Sequence, residues 1–386
     1  MTQVKIAAVR THVLSASIDA PFASSQRWDH SRSQLIVEIT GENGVTGWGE
    51  AYGPPAILAR IIDSTFIPLL VGEDALAIEA IWARLYDSLR DHGQRGVVIQ
   101  AISAIDVALW DLKGKTLGVS VATLLGGPVR KRIRAYATGL YRRAIDRTEN
   151  RRLLLDEAKG YLDSGMSAMK VKIGFGRDYD VEMVESLRQL LGPDIGLMAD
   201  CNHGYDLTHA RDVARRLESF DLGWLEEPVV PENLSAYARL RDATSIPIAG
   251  GESHFTRHGF LDILRLDAME IVQPDICAAG GLTESKKIAD LASAFGVRCV
   301  PHVWGTGIGI AAALHLIAVL PHTATGWDKQ YEPMLEYDLT PHPFRQAILR
   351  QPLAVVDGMI QVPEAPGLGI EIDVAALETF RVRSDG

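Results

Sequence analysis

With 386 residues, 47% of them hydrophobic and 23% charged, the chain can bury a large core and is composed like an ordinary soluble protein. A formal net charge of −10 argues against a nucleic-acid partner, because a protein that neutralises phosphates carries the opposite sign. The longest near-apolar run, Ile308 to Leu320, is 13 residues, short of the roughly 20 that cross a bilayer, so no membrane partner is expected. Three scattered cysteines (Cys201, Cys277, Cys299) and an N-terminus without an apolar targeting segment point to a reduced, cytoplasmic setting.

From Val4 to about Gly127 the pattern is mixed. Strands are expected at 4–15, 33–40 and 45–51, with Glu42-Asn43-Gly44 turning between the second and third. Helices are expected at 56–70, 74–90 and 96–117; in the last, Val98, Ile102, Ile105, Ala108, Leu109 and Leu112 repeat at the spacing of one buried face. Residues 1–128 thus read as a small α+β capping domain.

After Gly126-Gly127-Pro128, short β-type runs alternate with helical stretches: 133–138, 168–173, 196–200, 223–226, 247–250, 269–272, 298–301 and a weaker run near 331–335. Strand–helix alternation at this spacing implies parallel βαβ units, which close into a barrel. Residues 129–350 are therefore read as an α/β domain, a (β/α)7β modified TIM barrel. Residues 351–386 are expected to pack back on the capping domain.

Charged residues gather at the C-terminal ends of these runs, where barrel enzymes keep their chemistry. Asp200, Glu226 and Glu252 follow one another at intervals of 26 residues, the length of one strand–helix unit. A single acid here is more often a helix cap or a surface partner. Three on consecutive strand ends would repel one another unless a cation sat among them, and hard oxygen donors suit Mg²⁺ better than zinc. Strand alternation admits either Glu226 or Glu227, and the even spacing favours Glu226.

Lys170 and Lys172 share one face of a buried strand, and repulsion together with desolvation is expected to lower a lysine pKa there, giving a base. Asp275 and His302 end adjacent strands, so the carboxylate can fix the imidazole tautomer. Asn202, two residues past Asp200, can face the same site. Gly307-Ile308-Gly309-Ile310-Ala311-Ala312 matches a dinucleotide fingerprint, with Asp328 downstream, but it falls in the seventh barrel unit. The preferred reading is a helix N-terminus whose free N–H groups bind a substrate carboxylate.

Taken together, Lys170-Val171-Lys172, the three acids, and the Asp275 and His302 pair resemble the mandelate racemase subgroup of the enolase superfamily over essentially the whole chain. Within it the stretches Arg90 to Gly96, Lys170 to Gly176, Asn202 to Tyr205, Glu226 to Pro231, Pro301 to Gly307, Glu332 to Asp338 and Pro343 to Ala347 are similar to bacterial D-galactarolactone cycloisomerases.

The resemblance implies Mg²⁺ on Asp200, Glu226 and Glu252, and Lys172 or His302 as the group that takes a proton alpha to a carboxylate. Lys170 would steady that carboxylate. It implies β-elimination that opens a sugar-diacid lactone to a 2-keto-3-deoxy diacid, and a homo-oligomer, dimer or octamer. An acid-sugar dehydratase using the same residues, a racemase, and a non-catalytic barrel are the alternatives. An eighth-strand acid completes the subgroup's pattern; Glu332 and Glu336 both qualify, and Glu332 is preferred for its Glu-Pro context. Lid loops around Pro21 to Trp28 and Trp48 to Pro54 are expected to select substrate. Asn202, His203, His92, Arg95 and Trp304 are the expected substrate contacts.

Overall fold

The computed structural model describes residues 3–321 and 332–382. Three antiparallel strands open the capping domain: β1 (Ile6–Ala23), β2 (Trp28–Gly41) and β3 (Thr46–Ala51). The first two run well past the expected ends, pairing out to Ala23 with Trp28, so that 24–27 are the tip of a long hairpin. Its outer half alternates Ala16, Ile18, Ala20 and Phe22 with Ser, Asp and Pro, and Ile18 and Phe22 pack on Tyr141 of the barrel.

Helices α1 (Pro55–Ile61), α2 (Ile67–Leu70), α3 (Ile78–Ser88) and α4 (Val97–Leu117) cover one face of this sheet, and α5 (Val121–Leu124) leads out of the domain. The long helix α4 lies directly on β3 because Gly47 and Gly49 carry no side chain. A Cβ on either would come within 2.1 or 1.9 Å of the Ala108 or Ala104 carbonyl oxygen. Leu35, Val37, Ile39, Ile102, Ile105 and Leu109 form the centre of the core between sheet and helix.

The second part alternates strand and helix: β4 (Arg132–Thr138), α6 (Arg147–Asp163), β5 (Ala168–Lys172), α7 (Arg177–Leu191), β6 (Gly196–Asp200), α8 (Leu207–Leu217), β7 (Leu225–Glu226) and α9 (Leu234–Arg241). It continues through β8 (Ile248–Gly250), α10 (Thr256–Arg265), β9 (Ile271–Val272), α11 (Gly281–Ala294), β10 (Arg298–Cys299), α12 (Gly307–Val319) and β11 (Leu335–Asp338).

Strands β4 to β10 pair in parallel in chain order, and β11 returns to pair in parallel with β4. This is a (β/α)7β barrel. The eighth strand begins at Leu335, whereas the sequence had suggested 331–335, of which 331 lies outside the described residues, as does Asp328. Pro333 has no N–H to give to a ladder, so pairing starts beyond it.

The tail divides its contacts. β12 (Val355–Val356) and β13 (Met359–Gln361) form a hairpin whose second strand pairs antiparallel with β4, so this part joins the barrel. The last helix, α13 (Val374–Phe380), packs beside β1, and the Val382 N–H donates to the Val13 carbonyl at 2.8 Å.

Candidate active site

Parallel pairing brings Lys172 level with Asp200, and Asp200 level with Glu226, at the C-terminal ends of β5, β6 and β7. Glu252 lies two residues past the end of β8. One carboxylate oxygen from each of Asp200, Glu226 and Glu252 lies within 4.8 Å of the others. Glu226 is held from two sides. Its Oε2 accepts from Trp224 Nε1 and from Gln273 Nε2, both at 2.8 Å, while its Oε1 faces Lys170 Nζ at 2.5 Å. Neither Trp224 nor Gln273 stood out in the sequence, since their role depends on aligning neighbouring strands.

Glu227 leaves the strand with a positive φ of 44°, which turns its carboxyl to a different buried place. Burial, then the charge of Glu252, pushes that carboxyl up to about 8. His203 Nε2 stands 2.7 Å from Glu227 Oε2 but off the hydrogen-bonding direction. Asn202 and His203 also have positive φ, 41° and 64°, so three strained residues cluster beside the triad. The hairpin tip rests on this loop: Ser25 Oγ donates to the Cys201 and Asn202 carbonyls at 2.7 and 2.9 Å.

Lys170 and Lys172 stand among carboxylates that the sequence reading did not weigh. Burial alone lowers Lys170, but Glu226, Glu336 and Asp200 outweigh it and hold the ammonium well above its ordinary value. Lys172 is buried in the same way, and Asp200, hydrogen-bonded to its Nζ, holds it up. The expectation considered the lysines without the carboxylates that the barrel closes around them.

His302 Nδ1 meets Asp275 Oδ2 at 2.6 Å, and its Nε2 lies 3.2 Å from Glu252 Oε2. Burial lowers this imidazole, but Glu252, Glu336 and Asp275 raise it to about 10. Asp275 is fixed in turn by the Cys277 N–H, which donates to its Oδ1 at 2.7 Å. Tyr52 from the capping domain stands over the imidazole, ring centres 5.5 Å apart, and Trp304 closes the same wall, 6.1 Å from Tyr52.

Three placements differ from the sequence reading. Glu336, not Glu332, is the β11 acid that reaches the site: it lies 2.9 Å from Lys170 Nζ and accepts from Thr138 Oγ1 at 2.6 Å and the Val303 N–H at 3.0 Å. Glu332 precedes the strand and acts on Arg130, whose guanidinium binds the carbonyls of Ile317 and Leu320 at the opposite end of the barrel.

The α12 N-terminus is not free for a ligand. Glu50, at the end of β3, accepts from the Thr306 and Gly309 N–H groups at 2.7 and 2.9 Å and from the Thr306 hydroxyl at 2.6 Å. The Trp48–Pro54 segment is therefore a strand end tied to the barrel rather than a loose lid, and the Tyr52 N–H donates to the Cys277 carbonyl at 2.9 Å.

His92 and Arg95 are exposed in the turn between α3 and α4, and neither lines the cavity between the two domains. That cavity, about 490 Å³, is bounded instead by Arg32, Gln34, Tyr52, Gln100, Trp304 and His342 among others.

The chemistry of this centre is a set of hard oxygen donors flanked by two nitrogen acid–base groups. Residues 5–126 match the mandelate racemase/muconate lactonizing enzyme N-terminal domain, and residues 153–376 match the enolase C-terminal domain-like family. The chain belongs to the enolase superfamily. It is 46% identical over 381 residues to the D-galactarolactone cycloisomerase of Agrobacterium fabrum, an alignment covering 98% of this chain and 99% of that protein.

Among solved structures it resembles the 3,6-anhydro-D-galactonate cycloisomerase of Zobellia galactanivorans, with a TM-score of 0.89 and 41% identity over 98% of this chain and 100% of that one. A racemase from Streptomyces coelicolor A3(2) with bound magnesium gives a TM-score of 0.88 at 30% identity, covering 98% and 100%. The protein is an enzyme of this superfamily.

Proposed function

We propose that this enzyme removes the proton alpha to the carboxylate of a sugar-diacid lactone and opens the ring by β-elimination, yielding a 2-keto-3-deoxy sugar diacid. One observation carries the reading. Lys172 at the end of β5 and the His302–Asp275 dyad, just past the ends of β10 and β9, stand across the barrel from each other, and the three carboxylates lie at or just past the ends of the strands between them. The 46% identity to a galactarolactone cycloisomerase supports the lactone as substrate class.

Asp200, Glu226 and Glu252 would hold Mg²⁺. The fit rests on three hard oxygen donors at close range and on Trp224 and Gln273, which fix Glu226 as outer partners fix metal ligands. When bound, the ion supplies electrostatic stabilisation of the charge that grows on the substrate carboxylate as the proton leaves. Lys170 steadies the same carboxylate. Lys172 and His302 face opposite sides of the alpha carbon, one removing its proton and the other serving the far face. Glu336 keeps Lys170 protonated, and Asp275 holds His302 in one tautomer. Trp304, Asn202 and His203 border the ligand, and a homo-oligomer, dimer or octamer, is the expected assembly.

The opposing reading is a dehydratase that expels water from an open-chain aldarate or aldonate with the same acid–base pair. Incubation with Mg²⁺ and either D-galactarolactone or galactarate, followed by assay for 2-keto acid, separates the two. Keto product from the lactone, abolished by a chelator, is the expected result. Product from galactarate alone would replace the cycloisomerase with a dehydratase, and product from neither would overturn both.

A further inference from the structure

The polar cavity between the hairpin and the barrel mouth has a charge imbalance in its wall. Arg32, from β2, and Arg345, which follows β11, both bind the Oδ2 atom of Asp338. All three side chains are buried: Arg32 is 5% exposed, Arg345 8% and Asp338 3%. Among the described residues no second acid is paired with either guanidinium. Two cations thus share one anion, and one positive charge is left over in a place where burial makes it costly.

His342 does not supply the missing anion; burial, then the two guanidinium groups, lowers its imidazole to about 2, so it stays neutral. The nearby Arg27 is already matched by Asp29 at 3.1 Å. Arg32 uses Nη2 for Asp338, has its Cζ 4.1 Å from the centre of the Trp304 ring, and borders the cavity, so most of its five N–H donors remain available. Trp304 in turn stacks near Tyr141, over which Lys172 Nζ sits at 4.9 Å. The unmatched charge is therefore two aromatic rings away from the acid–base centre.

We propose that Arg32 is the counter-charge for a second carboxylate of the ligand, the one released when the lactone ring opens. The inference rests on the lactone reading and deepens it. In that reaction the alpha C–H bond breaks and its proton goes to the base. Its electron pair becomes the alpha–beta double bond, and the bond from the beta carbon to the ring oxygen breaks with its pair on oxygen. The lactone carbonyl becomes a carboxylate, the enol ketonises by gaining a proton at the beta carbon, and one proton passes to solvent. No oxidant or reductant is needed.

The product carries one more negative charge than the substrate, and the site holds one more positive charge than its own acids neutralise. A group that meets charge only as it develops stabilises the transition state more than the ground state. A dehydratase acting on a monocarboxylate has no use for such a charge, because its leaving group is hydroxide.

The test uses the Mg²⁺-loaded enzyme and the variants Arg32→Gln and Arg32→Lys. Arg345 still neutralises Asp338 in Arg32→Gln, so the fold is expected to persist. First, melting temperatures are compared with galactarate, a dicarboxylate, and galactonate, a monocarboxylate. Wild type is expected to be stabilised more by galactarate, Arg32→Gln equally by both, and Arg32→Lys to keep the preference. Second, D-galactarolactone is supplied in D₂O. Arg32→Gln is expected to form keto product at least tenfold more slowly while deuterium still enters the alpha position of recovered lactone.

An unchanged galactarate preference in Arg32→Gln, or product formation within twofold of wild type, overturns the proposal. Should Arg32→Gln not fold, loss of the preference in Arg32→Lys overturns it as well. If wild type leaves the lactone intact, the lactone reading fails, and the melting comparison still decides whether Arg32 binds a second carboxylate.

Discussion

His302 Nε2 lies 3.2 Å from Glu252 Oε2, so a base candidate and a metal-ligand candidate are immediate neighbours. Its other nitrogen is held by Asp275 at 2.6 Å. His302→Asn should lower turnover of the lactone by about 10²–10⁴-fold, the usual worth of a positioned acid or base, and Lys172→Ala should do the same. Far-ultraviolet circular dichroism should remain unchanged. Full activity in both variants, measured as keto product with Mg²⁺, would remove these residues from the reaction.

Glu226 gives one oxygen to Trp224 and Gln273 and the other to Lys170. Removing an outer partner of a metal ligand typically costs about 10–100-fold in affinity. Gln273→Leu is expected to weaken Mg²⁺ binding in titration calorimetry by that amount. Affinity equal to wild type would mean that Glu226 is oriented by the strand alone.

Glu336 on β11 and Glu332 before it make opposite predictions. Glu336 is buried against Lys170, Thr138 and the Val303 N–H, so Glu336→Gln should depress turnover strongly and leave Lys170 with one fewer counter-charge. Glu332 lies by Arg130 at the far end of the barrel, and Glu332→Gln should change stability by about 0.5 kcal/mol at most, with little effect on rate. Paired rate and melting measurements decide between them.

Glu50 gives a pH-dependent stability term. Burial raises its carboxyl from 4.5 to about 7, although its Thr306 and Gly309 hydrogen bonds pull the other way. An acid with a folded pKa above its unfolded one binds its proton more tightly when folded. Stability therefore falls as pH rises from about 4.5 to about 7, and the full cost is present above 7. At about 1.4 kcal/mol per pH unit the cost is on the order of 2–4 kcal/mol. Glu50→Gln should flatten the melting temperature between pH 5 and 8 relative to wild type. Parallel curves for the two proteins would contradict this.

What the sequence made legible follows from range. Asp200, Asp275 and His302 are readable because each ends or follows closely on a short apolar run, and Glu226 because it stands at even spacing between Asp200 and Glu252. The choice of Glu332 over Glu336 failed on where the strand starts: with pairing beginning at Leu335, Glu332 lies before β11 and Glu336 is the acid within it. The carboxylates that surround the two lysines come from other strands, so their pull on the ammonium groups has no local signal. Arg32 and Asp338 are 306 positions apart, and no local pattern announces their meeting. The Gly307 segment looked like a ligand site since its filler, Glu50, lies 256 residues earlier.

The contact between α13 and β1 has a consequence for the birth of the protein. The capping sheet leaves the ribosome before α13 does, yet its edge near Val13 and Leu14 is covered by Arg381 and Val382. At about 5–20 residues per second, that edge waits roughly 20–80 seconds for its cover. Until α13 emerges the nascent chain thus carries an open sheet edge, the kind that invites a chaperone or a wrong neighbour. Completion of the capping sheet is timed by a helix that lies beyond the whole barrel in the sequence.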